Sequence, residues 1–217
     1  MKQFLERAPL TSALLAAILA SFALEIVFGG STNTRTLVFL GANVPVLVQQ
    51  GEVWRLVSSM FLHIGLMHLL VNGWALFQLG GLFETWMGSS RMAVVYFVSG
   101  ILGSVASVMT KLDSYVTAAG ASGAIFGLMG ALIAVLLRRR DRLMPAAKSL
   151  LSQLLLWAGL NIFLGFSTTG IDNAAHLGGC AAGFALGWMI RPRSERRPPA
   201  DYEPPPSAGY AEPPREL

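Results

Sequence analysis

The chain has 217 residues, 53% of them hydrophobic and 13% charged, with a mean hydropathy of +0.56. Disorder needs low hydrophobicity and high charge, and soluble domains carry about 25% charged residues, so disorder is excluded and a soluble globule disfavoured. A net charge of +4 with pI near 9.6 would suit nucleic acid, but the charges sit where membrane topology would put them, so no nucleic-acid partner is expected.

Crossing a hydrocarbon core of about 30 Å takes roughly 20 apolar residues in a helix. Six stretches meet or approach that length: about Pro9 to Gly29, Ile64 to Trp86, Met92 to Met109, Ser122 to Leu137, Leu150 to Phe166 and Ala174 to Ile190. The first is longer than the 7–15 apolar residues of a signal-peptide core, so it reads as a retained helix. Between the first and second lies a long segment, Gly30 to His63, too apolar for a solvated loop and expected to rest on the outer leaflet. Residues 192–217 are rich in proline and read as a disordered cytosolic tail on a domain spanning 1–191. The lipid bilayer is therefore the first partner expected.

Lys and Arg accumulate in cytoplasmic loops. With the N-terminus inside, twelve basic residues from Lys2 to Arg197 face the cytoplasm, and only Arg35, Arg55 and Lys111 face outward. Six spans return the C-terminus to the cytoplasm. Cys180 is the sole cysteine, which excludes an intramolecular disulfide and a multi-Cys zinc site. No metal or other cofactor is expected.

Ionisable groups inside a membrane are costly and usually mark function. The chain has three histidines, His63, His68 and His176. In this topology all three lie at the outer ends of their segments, and Asn72 follows His68 by one helical turn. The fourth segment also enters from outside and opens with Gly120-Ala121-Ser122-Gly123. Ser122, His176, His68 and Asn72 thus meet at one depth. A serine hydroxyl becomes a useful nucleophile when an imidazole takes its proton. Asn, His and free amides at a helix N-terminus can stabilise an oxyanion. Asp113 and Asp172 sit in outer loops and are given no role, which leaves a Ser–His dyad. Glu84 is expected to hold a neighbouring helix. Gly179, Gly183 and Gly187 share a face with His176, and Gly123, Gly127, Gly130 and Ala134 lie beside Ser122; small residues let such helices approach closely.

These residues resemble the motifs of the rhomboid intramembrane serine proteases in their six-helix bacterial form. The Trp54-Arg55 pair is similar to the outer-loop motif, and His63, His68 and Asn72 to the H-x4-H-x3-N motif. Gly120-Ala121-Ser122-Gly123 is similar to the nucleophile motif, and Ala175-His176 with Gly179 and Gly183 to that of the last helix. The resemblance covers the chain from the first helix to Ile190. It implies an all-α bundle of six transmembrane helices with a long membrane-associated outer loop between helices one and two. It implies that Ser122 is the nucleophile and His176 the general base. His68, Asn72 and the Ser122 amide would form the oxyanion hole. His63 would retain water or support the cavity rim, and Trp54 and Arg55 would brace the outer loop. Many members have Tyr where this chain has Phe126, so the ring face that stacks on the histidine is kept and the hydroxyl lost. Substrates would be membrane proteins cut in or near a transmembrane segment, admitted past the fifth helix. The clean charge bias and the absence of a transit-type leader suggest a bacterial plasma membrane, with the cavity expected to open to the outside. Two other readings remain: an inactive relative that binds membrane proteins, and a small transporter, for which no matching halves are seen.

Overall fold

A computed structural model describes residues 6–139, 141, 144–168 and 170–190. The proline-rich segment and several of the basic residues used for orientation lie outside those residues. Among the described residues the chain is all helical, with no strand and a single isolated β-bridge between Asn43 and Ala118. We number the helices α1 (Pro9–Val27), α2 (Thr34–Leu40), α3 (Pro45–Gln49), α4 (Arg55–Ser58), α5 (Leu66–Met87), α6 (Ser89–Met109), α7 (Ser122–Leu137), α8 (Pro145–Ser167) and α9 (Asn173–Met189).

Four helices, α1, α5, α6 and α8, are long and apolar enough to cross a membrane. This is a multi-pass membrane protein. The expected apolar stretches and the helices differ mainly at their starts. Helix α6 begins three residues early, with Ser89, Ser90 and Arg91, and α8 begins at Pro145 in its first turn. Hydropathy marks where a helix is apolar, whereas the hydrogen-bonded helix runs on through a polar first turn. Proline fits there because its missing N–H would have no partner. Helix α5 contains a wider π turn over Leu76–Gly80.

Helix α7 is the axle of the bundle. Every residue from Gly123 to Leu136 is buried, as suits a helix that is apolar all round. Helix α9 lies against it along a glycine stripe. A Cβ at Gly179 would collide with the Gly123 carbonyl, one at Gly183 with Gly127, and one at Gly187 with Ala131. Helix α6 closes on both: Ser99 fills the space beside Gly127, and Gly103 faces the Ala175 carbonyl. Helix α8, in contrast, buries only Leu154 and Ala158.

Glu84 holds α1 in place, as its position suggested. Its carboxylate accepts hydrogen bonds from the amides of Leu10 and Thr11 at 2.8 Å, and from the hydroxyls of Thr11 and Ser89 at 2.7 Å. These amides belong to the first turn of α1, which lacks intrahelical partners and favours negative charge. Replacing Glu84 with Ala strands several buried donors. We expect it to cost about 3 kcal/mol, read as a lower thermal midpoint in detergent, while Glu84→Gln loses roughly half as much.

The segment between α1 and α5 is ordered. Arg55 donates to the carbonyls of Val38 at 2.7 Å and Ala42 at 3.1 Å and pairs with Glu52 at 2.6 Å. Its guanidinium also lies 4.6 Å from the Trp54 ring. Asn43 pairs with Ala118 through two backbone hydrogen bonds of 2.9 Å, and the Gly120 amide donates to Ser59 at 2.9 Å. This segment therefore fixes the stretch of chain that leads into Ser122.

Candidate active site

Ser122 opens α7, and His176 lies in the first turn of α9. Their Oγ and Nε2 are 2.9 Å apart, a hydrogen-bonding distance. With the hydroxyl donating to Nε2, a neutral imidazole carries its proton on Nδ1. That atom is buried and has no hydrogen-bond partner. The His176 ring thus has Ser122 as its hydrogen-bond partner and no acidic residue on its other nitrogen. What orients the ring is Phe126, one turn along α7. Its ring stacks on His176 with centroids 4.2 Å apart and planes 8° apart.

The pair is recessed. A Cβ at Gly103 or Gly123 would stand 2.7 or 3.4 Å from the same carbonyl oxygen, that of Ala175. Ser122 therefore lies level with Gly103, six residues short of the end of α6 at Met109. At 1.5 Å per residue that is about 9 Å below the end of the helix.

His68 lies on the other side of Gly120. Its Nδ1 accepts the Ile64 amide at 3.3 Å, so the neutral ring carries its proton on Nε2, the atom turned towards Gly120. Gly120 has φ +134°, and a Cβ there would stand 2.9 Å from that nitrogen. Asn72 is buried, and one of its N–H groups donates to the His68 carbonyl at 2.9 Å, leaving a second donor. Helix α7 has no side-chain cap, so its first-turn amides remain open as donors.

His63 is fully buried beneath His68, not at a rim, with ring centroids 5.2 Å apart. Its amide donates to Glu25 on α1 at 2.9 Å. Burial, and then the neighbouring His68, push the His63 imidazole down to about 4, so it is neutral at physiological pH. Trp54 and Arg55 are outside the pair and act through the segment before α5. No cluster of metal-ligating side chains occurs among the described residues.

The Rhomboid domain family model matches residues 50–193, which contain all of these groups except Glu25. The chain belongs to the rhomboid family. This rhomboid is 43% identical over 167 residues to Rhomboid protease GluP of Bacillus subtilis (strain 168), a match covering 77% of this chain and 32% of that protein. It is 38% identical over 155 residues to RHOMBOID-like protein 5 of Arabidopsis thaliana, covering 71% and 50%. It is 35% identical over 150 residues to Putative rhomboid protease YdcA of the same Bacillus, covering 69% and 73%. The chain thus spans about a third of the first of these proteins and half of the second.

Two further features of this rhomboid escaped the sequence. A lateral cavity of about 440 Å³ lies between α5, α7 and α8, lined by Trp74, Gln78, Phe126, Leu154 and Trp157 among others. Phe126, which stacks on His176, forms part of the cavity wall. The second is a polar cluster at the start of α9. Asp172 caps the helix by accepting the Ala175 amide at 3.1 Å, pairs with Lys111 at 2.6 Å and accepts the Ser107 hydroxyl. Burial opposes its ionisation, but Lys111 and Ser107 more than offset that and hold the carboxyl below the usual range. An Asp directly before an apolar helix signals an N-cap, which could have found Asp172; nothing local pointed to Lys111.

Proposed function

We propose that the chain is an intramembrane serine protease that hydrolyses peptide bonds in or near transmembrane segments of other membrane proteins. The observation that carries this is the 2.9 Å contact between Ser122 and His176 at a recessed helix start. Ser122 attacks the scissile carbonyl while His176 Nε2 takes its proton. The tetrahedral oxyanion is met by the open Ser122 amide, the His68 Nε2–H and the free N–H of Asn72. The C–N bond then breaks as His176 returns the proton to the leaving amine. Water, activated by the same imidazole, hydrolyses the acyl-enzyme. The chemistry needs no cofactor.

Six spans are proposed: the four long helices, with α7 and α9 as the shorter central pair. Polar groups are tolerated at depth when they line a water-filled cavity, and a space of about 30 Å³ lined by Ser59, Ser104, Ser107 and Ser122 has room for a water. The bias of the basic residues in the sequence supports cytoplasmic termini in a plasma membrane, with the recess opening outward. The ordered segment before α5 rests on the outer leaflet. The sparsely packed α8, flanked by the 440 Å³ cavity, is the gate for a substrate helix. Such a helix must unwind locally before its scissile carbonyl can reach Ser122, so weakly helical segments are preferred.

The test is cleavage of a single-span reporter protein by the purified chain in liposomes. The parent is expected to cleave, with Ser122→Ala and His176→Ala reduced at least about 10³-fold. Undiminished cleavage by Ser122→Ala would remove the mechanism, and tight reporter binding without cleavage by the parent would favour the non-catalytic binder.

A further inference from the structure

We infer that Asp172 is a positioning residue for His176: with Lys111 and Ser107 it clamps the outer end of α9 to α6 and so sets the height of the imidazole opposite Ser122. The inference rests on the hydrolytic reading above.

All three oxygens of Asp172 are used on this joint. Oδ1 accepts the Ala175 amide at 3.1 Å, and Oδ2 accepts Lys111 Nζ at 2.6 Å together with the Ser107 hydroxyl. Its backbone carbonyl accepts the His176 amide at 3.1 Å. One residue therefore holds two amides of the first turn of α9 and two side chains at the end of α6, Ser107 within the helix and Lys111 just beyond it. The ion pair is shielded, with side-chain exposures of 29% for Lys111 and 17% for Asp172, and Ser107 is buried. Charge-assisted hydrogen bonds in such a setting are short and directional.

At its other end α9 is tied to α7, where the Arg138 guanidinium donates to the carbonyls of Trp188 and Ile190, so the Asp172 joint is the tie that fixes the end carrying His176. Towards α7 it presents Gly179, Gly183 and Gly187, which bring the backbones together but offer no side chains to interlock. Towards α8 it has the Asn173 amide on the Ile162 carbonyl at 3.2 Å, a tie to a sparsely packed helix. The His176 ring has no partner at Nδ1. Sliding a helix by one residue displaces it 1.5 Å, whereas a hydrogen bond tolerates only a few tenths of an ångström. Helix α6 is the reference that fixes the slide, because Gly103 on the same helix packs against Ala175 beside Ser122. The acidic residue that orients a catalytic histidine elsewhere acts on the ring; here it acts on the backbone one turn away.

The test uses the full chain in liposomes with the single-span reporter. Asp172→Asn keeps a side chain able to cap α9 but removes the charge that Lys111 requires; Lys111→Met removes the other partner. Each is expected to lower kcat roughly tenfold with KM changed less than about twofold, because a small misplacement of reacting groups acts on the chemical step. The double variant should be no slower than either single one. In parallel, hydrogen exchange of the amides at 173–176 should accelerate about tenfold in Asp172→Asn relative to the parent. Unchanged kcat in both single variants, multiplicative losses in the double, or unchanged exchange would each overturn the clamp. If the parent itself does not cleave, the hydrolytic reading fails, and the exchange measurement alone decides the clamp.

Discussion

Gly183→Val is expected to lower the thermal midpoint by about 10 °C and to cut cleavage by about 10²-fold. Gly183 meets α7 at the Gly127 backbone: an added Cβ would stand 2.6 Å from the Gly127 Cα and closer still to its carbonyl oxygen. Backbone cannot rotate away as a flexible side chain can, so the two helices must separate. Overpacking of this kind costs about 3 kcal/mol at its upper end, which for a domain of this size is roughly 6–12 °C. Separation by about 1 Å also breaks the 2.9 Å contact between Ser122 and His176. A misplacement of that size is worth about 10²-fold in rate. Gly159→Ala is the control, since nothing lies within 4 Å of a Cβ at that position on α8. Differential scanning fluorimetry beside the reporter assay gives both readings. A midpoint for Gly183→Val matching that of Gly159→Ala would contradict the packing described here.

Gly120→Ala should reduce kcat by about 10²-fold with a smaller loss of stability, about 1–2 kcal/mol. Gly120 holds φ +134°, a conformation costly for any residue with a Cβ. The new methyl would stand 2.7 Å from His68 Cε1 and 2.9 Å from Nε2. The ring must turn aside, and its Nε2–H is then lost to the oxyanion. Removing one such donor costs about 10²–10³-fold in kcat. His68→Ala should match the loss, and the double variant should add little to either. Fully multiplicative losses would show that Gly120 acts on something other than His68.

How legible was this in the sequence? The membrane class and family followed from composition and from motifs that a single chain displays. The meeting of Ser122 with His176 was legible because each sits at the outer start of its segment and is followed by small residues at helical spacing. The role of Glu84 was legible as well, since a lone carboxylate in an apolar stretch needs partners. The Lys111–Asp172 joint was not. Its partners are 61 positions apart, and only the packing of α6 against α9 brings them together. The burial of His63 was missed for a similar reason: its stretch of chain docks on α1, where Glu25, 38 positions away, accepts the His63 amide. The short helices between α1 and α5 lack a long periodic pattern and are held by Arg55 and by backbone pairing to Ala118.

In the proposed mechanism His176 activates Ser122 in the folded protein. The most direct measurement is reaction with a fluorophosphonate, followed by peptide mass mapping. The parent is expected to carry one phosphonyl adduct on Ser122, and His176→Ala to react at least about 10³-fold more slowly while keeping its thermal midpoint. An adduct on another residue, or labelling of Ser122 that persists at full rate in His176→Ala, would contradict the account.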